Sequence, residues 1–180
     1  VEGHTYTATL TGSQTTIGES ANVASAAVIK DASENDVTSN YQISYVAGTL
    51  EVTTRAIEIT ADSDTKVYDG TALTNAGSSI TDGTLVEGHT YTATLTGSQT
   101  TVGESANVAS AAVIKDASEN DVTSNYQISY VAGTLEVTTR AIEITADSDT
   151  KVYDGTALTN AGSSITDGTL VEGHTYTATL

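Results

Sequence analysis

The run Tyr126-Gln127-Ile128-Ser129-Tyr130-Val131-Ala132-Gly133-Thr134-Leu135-Glu136-Val137 alternates apolar and polar residues with a period of two. Successive side chains of a strand point to opposite faces, so this pattern predicts a half-buried β-strand. Gly133 interrupts it, which predicts a break or bulge, and Leu135-Glu136-Val137 resumes it. The same signal appears upstream. Ala56-Ile57-Glu58-Ile59-Thr60 and Thr90-Tyr91-Thr92-Ala93-Thr94-Leu95 alternate with β-branched residues, and Val108 to Lys115 reads as a strand rich in small residues. Asp69-Gly70 is a tight-turn signal. The polar cluster around Gly103 and the acidic stretch from Asp116 to Asn125 read as loops. No segment carries a sustained helical period. The nearest is Thr71 to Ile80, which contains Gly77. The expected fold class is therefore all-β, as tandem small β-sandwich-like domains in an elongated array. The alternative is a β-grasp-like α+β unit with one short helix.

These signals recur because the chain repeats itself. Val1-Glu2-Gly3-His4-Thr5-Tyr6 returns at Val86 and again at Val171, a period of 85 residues. Residues 1–85 and 86–170 differ only at Ile17 and Val102, and residues 171–180 repeat residues 1–10 unchanged. A period of 85 exceeds the 20–50 residues of solenoid repeats and matches a small independent domain.

Composition narrows the function classes. Asp and Glu number 23 against 6 Lys and Arg, a net charge of −17, which disfavours nucleic acid and anionic lipid surfaces as partners. With no Cys there is no disulfide framework, thiolate zinc site or thiol nucleophile. No apolar run approaches the length of a membrane span, and no stretch reads as a signal peptide.

Framed on the strand signals, the repeat starts at Arg55. Asn40-Tyr41-Gln42-Ile43-Ser44-Tyr45-Val46-Ala47-Gly48-Thr49-Leu50-Glu51-Val52 runs into Arg55-Ala56-Ile57-Glu58-Ile59-Thr60 and then Lys66-Val67-Tyr68-Asp69-Gly70-Thr71. This linked pattern resembles the YDG/MBG-type tandem repeat of bacterial cell-surface adhesins, and the resemblance covers the 85-residue unit from Arg55 to Thr139. It departs from the family in its linker, which often carries Pro there and reads Thr53-Thr54-Arg55 here. The resemblance implies an extracellular, bacterial cell-surface stalk, of the kind found in adhesins and biofilm, and no enzymatic activity.

In this frame residues 1–54 are the C-terminal part of a repeat, residues 55–139 one complete repeat, and residues 140–180 the N-terminal part of the next. Either the chain is a window on a longer array, or residues 140–180 of one molecule complete residues 1–54 of a neighbour. If Leu50 to Thr60 is one strand, its apolar parity changes from even (Leu50, Val52) to odd (Ile57, Ile59), so adjacent repeats are expected to be rotated by about a half-turn.

Few residues stand out as candidate sites. Asp62-Ser63-Asp64 and Asp31-Ala32-Ser33-Glu34-Asn35-Asp36 offer oxygens of the kind calcium takes, without the spacing of a known calcium loop. Lys30 and Lys66 are the candidates for a Lys–Asn isopeptide crosslink, and they lack the aromatic shell such chemistry uses. His4 reads as a loop residue, and Tyr68-Asp69-Gly70 as turn chemistry. No catalytic, cofactor-binding or metal-ligating residue is assigned, and no cofactor is expected, calcium being the one considered. The expected partners are neighbouring repeats and other copies of the chain, without nucleic acid or membrane insertion. The expected function is a structural stalk or spacer that projects a terminal binding domain from the cell. A repeated glycan- or mucin-binding module built on the four Tyr per unit is the alternative, as is a self-assembling fibre subunit completed by a neighbouring chain.

Overall fold

A computed structural model describes residues 1–179. The first part of the chain carries β1 (Thr5–Thr11), β2 (Gly18–Lys30) and β3 (Gly48–Val52). The complete repeat carries β4 (Arg55–Ala61), β5 (Asp64–Val67), β6 (Ser78–Gly83), β7 (Thr90–Thr96), β8 (Gly103–Lys115), β9 (Tyr126–Val131) and β10 (Gly133–Thr138). β11 (Glu143–Ala146) and β12 (Ser163–Asp167) follow. Apart from the short 3-10 turns Thr38–Asn40 and Thr123–Asn125, the described residues contain no helix, so the chain is all-β. The segment Thr71 to Ile80 is not helical. Leu73 bridges to Gln99, and β6 begins at Ser78.

Two sheets make up the complete repeat, in the orders β5-β10-β8-β7 and β6-β4-β9. Its first two strands run beside its last two. β4 pairs with β9 in parallel, Arg55 opposite Tyr126, and β5 pairs with β10 in parallel, Leu135 opposite Asp64. Both tracks pass from one sheet to the other at the same level, at Asp62-Ser63 on one and Ala132-Gly133 on the other. A Cβ added to Gly133 would lie 2.4 Å from the Ala61 carbonyl oxygen and 2.5 Å from that of Asp62. Gly133 is thus the side-chain-free point at which two backbones cross in contact.

The main core lies between β4 and β8, where Ile57, Ile59 and Ala61 meet Ala109, Ala112 and Ile114 over the ring of Tyr126. A smaller core, Leu73 with Leu135 and Val137, lies beneath β10 and is covered by Tyr68. β8 keeps its inner face only because of a bulge. Buried Asn107 and Ala109 are odd, buried Ala112 and Ile114 are even, and Ala111 between them has φ +48°. The β7–β8 register shifts at this point, so the extra residue resets the alternation. Val108 and Val113, apolar and β-branched, consequently face outward. Gly103, expected in a loop, opens β8 instead.

Leu50 to Thr60 is not one strand. β3 ends at Val52 and β4 starts at Arg55, with Thr53 and Thr54 outside both. At the next junction β10 ends at Thr138 and β11 starts at Glu143. The expectation of a continuous inter-repeat strand is corrected accordingly. Thr53 and Thr54 lack the neighbouring strand on which a ladder depends.

Candidate interaction site at the repeat junction

The Lys66–Thr71 turn is held by its own side chains. Lys66 Nζ donates to Asp69 Oδ1 at 2.7 Å, to the Thr71 carbonyl at 2.6 Å and to Thr71 Oγ1 at 2.8 Å. Asp69 Oδ1 also accepts from the Thr71 N–H at 2.9 Å and from the Thr71 hydroxyl at 2.8 Å. Gly70 supplies the positive φ, +81°. The bonds from Lys and Thr to the Asp recur at Lys151, Asp154 and Thr156, where no complete repeat surrounds them, so the turn is a local unit.

The Lys66 ammonium, followed by the Thr71 N–H and hydroxyl, holds the Asp69 carboxyl well below the usual carboxylate range. Its contribution is therefore present above the ordinary Asp value near pH 3.8 and is lost as the pH falls through the lowered one. Carboxyl NMR titration is expected to show Asp69 ionised at pH 3, and Lys66→Met is expected to raise its midpoint toward the ordinary value. An unchanged midpoint in Lys66→Met would remove the ammonium as the cause.

This turn carries Tyr68 to the end of the repeat. The Tyr68 N–H donates to the Thr138 carbonyl at 2.9 Å, carrying the parallel β5–β10 ladder one residue beyond β5. The Tyr68 ring then meets His174 of the following repeat, centroids 5.9 Å apart and planes inclined by 35°. A Cβ on Gly70 would lie 2.9 Å from Val171 Cγ1. The Lys-Val-Tyr-Asp-Gly turn of one repeat therefore packs on the Val-Glu-Gly-His turn of the next.

One period earlier, the same turn is fixed from below. Near the preceding junction, the His89 N–H donates to the Val86 carbonyl at 3.0 Å. The Tyr126 hydroxyl accepts from the Val86 N–H at 3.0 Å and contacts His89 Nδ1 at 2.7 Å. With that acceptor role filled by Val86, the hydroxyl proton is free to point at Nδ1, which favours the His89 tautomer protonated at Nε2. Above this turn lies an open groove of about 260 Å³, lined by Thr16, Ile17, Val52, Val86, His89 and Tyr126. Val52, Val86 and His89 correspond, one period earlier, to Val137, Val171 and His174 around Tyr68.

The other candidate residues have structural partners. In Asp62-Ser63-Asp64, the Asp62 carbonyl accepts from Asn107 Nδ2 at 2.8 Å. Ser63 Oγ accepts from the Thr134 N–H at 2.9 Å, and Asp64 Oδ1 from the Thr65 N–H at 2.8 Å. The stretch pins the crossover of the two strand tracks. In the acidic loop, Asp31 Oδ1 accepts from the Ser33 and Asn35 N–H groups and from the Asn35 amide, which lowers its carboxyl pKa. Asp36 is lowered likewise by Thr38. Lys30 pairs with Glu34 at 3.1 Å and Lys66 with Asp69, so neither ammonium meets an Asn side chain. His4 contacts the Tyr41 hydroxyl through Nδ1 at 2.7 Å, the counterpart of His89 on Tyr126. A lone His in a polar stretch thus positions a turn. Its period with Tyr, 37 residues downstream in both copies, was the available signal. Of the four Tyr of the complete repeat, Tyr91 donates its hydroxyl to the Ser78 carbonyl, and Tyr130 accepts from the Ala112 N–H. Tyr126 is buried in the main core, and Tyr68 packs against the smaller one.

No protein-family model, no curated protein and no solved structure matches this chain.

Proposed function

We propose that the chain is a stretch of structural spacer from a bacterial cell-surface stalk of the adhesin type, in which each 85-residue repeat adds length and a terminal domain elsewhere does the binding. The observation that carries this reading is the recurrence, at the 85-residue period, of the residues that join one repeat to the next. Tyr68 and Gly70 of one repeat meet His174 and Val171 of the following one. A joint made of repeated residues is repeated wherever the sequence is, so adding repeats extends the array without altering any bead. The resemblance of the NY…G-x-L…YDG pattern to adhesin repeats supports the same reading, as does the net charge of −17, which keeps neighbouring stalks apart over roughly a Debye length of ~8 Å.

Small-angle scattering on chains of two, four and six repeats tests it. The maximum dimension is expected to rise linearly with repeat number, by on the order of 35–45 Å per repeat for a bead of this size. A rise with the square root of repeat number would overturn the spacer reading.

A further inference from the structure

Within the complete repeat, β7 ends its sheet. It pairs with β8 along one side only, from Thr90 opposite Lys115 to Thr96 opposite Val108. Among the described residues no other backbone group bonds to Thr90–Thr96, so its far side is a row of N–H and C=O groups open to a further strand. Edge strands are ordinarily guarded by charge, Pro or a bulge. β5 carries Asp64 and Lys66, and β6 carries Asp82. β9 is tied back to β8, its Tyr130 hydroxyl accepting from the Ala112 N–H. β7 is unguarded. Thr90-Tyr91-Thr92-Ala93-Thr94-Leu95-Thr96 holds no charge, no Pro and no Gly, in a chain of net charge −17. The bulge residue of the β7–β8 hairpin, Ala111, lies in β8, and no residue of β7 has a positive φ. A short, uncharged run of β-branched and aromatic residues is the kind of segment that pairs with its own copies. Its threonines face outward and are exposed, while Tyr91, Ala93 and Leu95 face the main core and remain partly exposed.

We infer that the β7 edge is a docking site for the β7 edge of a second copy of this chain, paired antiparallel about a two-fold axis at Ala93. The register follows from the sequence, which reads nearly the same in both directions. Thr90 lies opposite Thr96, Thr92 opposite Thr94, and Ala93 opposite its own copy. Residues opposite one another then share a face, so Thr meets Thr on the outside and Tyr91 meets Leu95 on the inside. Both kinds of cross-strand pair stabilise an antiparallel ladder, and strand addition supplies the main-chain hydrogen bonds. A second copy suits this edge for two reasons. One and the same segment satisfies both sides, and in a strongly acidic molecule it brings no carboxylate to the join. The contact is isologous, so it closes between two edges. The carboxylates elsewhere on the two copies repel, so the association strengthens as salt screens them. One edge of 7 residues is small against a standard protein interface, so each contact is weak. The same residues form β1, which also ends its sheet, so each repeat brings one such edge and weak contacts add up where several engage together.

The inference stands apart from the spacer reading, since it concerns one strand edge within a repeat and not the shape of an array. Sedimentation velocity of the 180-residue chain over a range of concentrations, at 50 and 300 mM NaCl, tests it. The expected result is concentration-dependent association that is stronger at 300 mM. Thr92→Lys with Thr94→Lys, made together with Thr7→Lys and Thr9→Lys on β1, is expected to weaken it at least tenfold. These threonines are exposed, so the complete repeat stays folded. The added lysines lower the net negative charge, so a loss of association cannot come from repulsion between whole chains. The register is read by disulfide trapping, since the chain has no Cys of its own. With β1 blocked by Thr7→Lys and Thr9→Lys, a mixture of Thr92→Cys and Thr94→Cys chains is expected to give the mixed dimer in excess over either like dimer. A chain that stays monomeric at all concentrations would overturn the inference. So would association unchanged by the lysines, or mixed dimer no more frequent than random pairing gives.

Discussion

Gly133→Ala is expected to destabilise the complete repeat by about 3 kcal/mol, with a fall in Tm on the order of 10 °C. The new methyl would sit 2.4 Å from the Ala61 carbonyl oxygen and 2.7 Å from the Asp62 carbonyl carbon, and these are backbone atoms that no rotamer change can move aside. Relief requires the two parallel tracks to separate where they change sheets, which disturbs both β4–β9 and β5–β10. Gly48 provides the control within the same chain. It holds the same place in the repeat, yet its added Cβ would meet nothing nearer than Asn22 Cβ at 3.8 Å. Gly48→Ala is expected to fall within about 0.5 kcal/mol of the parent. Thermal unfolding followed by circular dichroism checks both. Equal effects at the two positions would mean that the close crossing is not what selects glycine.

The second large effect is expected at Asn107. Its side chain is fully buried, and its amide donates to the Asp62 carbonyl at 2.8 Å and the Asn75 carbonyl at 3.1 Å. It thereby ties β8 to the strand crossover and to the loop before β6. Asn107→Asp keeps the shape and turns the donor into a carboxylate facing two carbonyl oxygens. The expected cost at pH 7 is about 3–5 kcal/mol, the range for an uncompensated buried charge. Burial and the two oxygens both favour the neutral acid, so the folded-state pKa of the new carboxyl is raised. The penalty is thus present above that raised pKa and shrinks as the pH falls through it, where the protonated acid donates one of the lost bonds. Urea unfolding of variant and parent at pH 7.5 and 4.5 measures the difference. A penalty that does not shrink at the lower pH would show that packing, and not charge, is at fault. Asn107→Ala is expected to cost about 2 kcal/mol at both pH values, through the unsatisfied carbonyls.

Much of this architecture is readable from the residues alone, and the limits have physical causes. Alternation at Ile57, Ile59, Tyr126, Leu135 and Val137 correctly places their strands and their buried faces. The same rule misplaces Val108 and Val113, because the bulge at Ala111 is set by backbone geometry and carries no glycine to announce it. An apolar inventory omits Asn107, Ala109 and Ala112, which fill the core because they are small or because two carbonyls await a donor there. β5 escapes notice since Asp64-Thr65-Lys66-Val67 has no apolar alternation and becomes a strand only against β10. The repeat itself makes the case. Tyr126–Val131 is a strand beside β4, whereas the identical residues Tyr41–Val46 are not. Ile57 and Ile59 are buried, whereas Ile142 and Ile144 are about 40% exposed. Local sequence carries the propensity, and the neighbouring strand decides whether it is realised. The junction contact was not legible for the same reason. Tyr68-Asp69-Gly70 announces a turn, but that its ring packs against a histidine 106 positions later depends on how two repeats are set end to end.

The parallel pairing of the first two strands with the last two has a mechanical consequence. A chain pulled from its two ends loads the complete repeat at Arg55 and at Thr138, the outer ends of β4 and β10. β4 and β9 run in the same direction, as do β5 and β10, so the pull slides each pair along its length. The hydrogen bonds of each ladder then bear the load together, in shear, instead of peeling open one at a time as they would in a hairpin pulled at its two free ends.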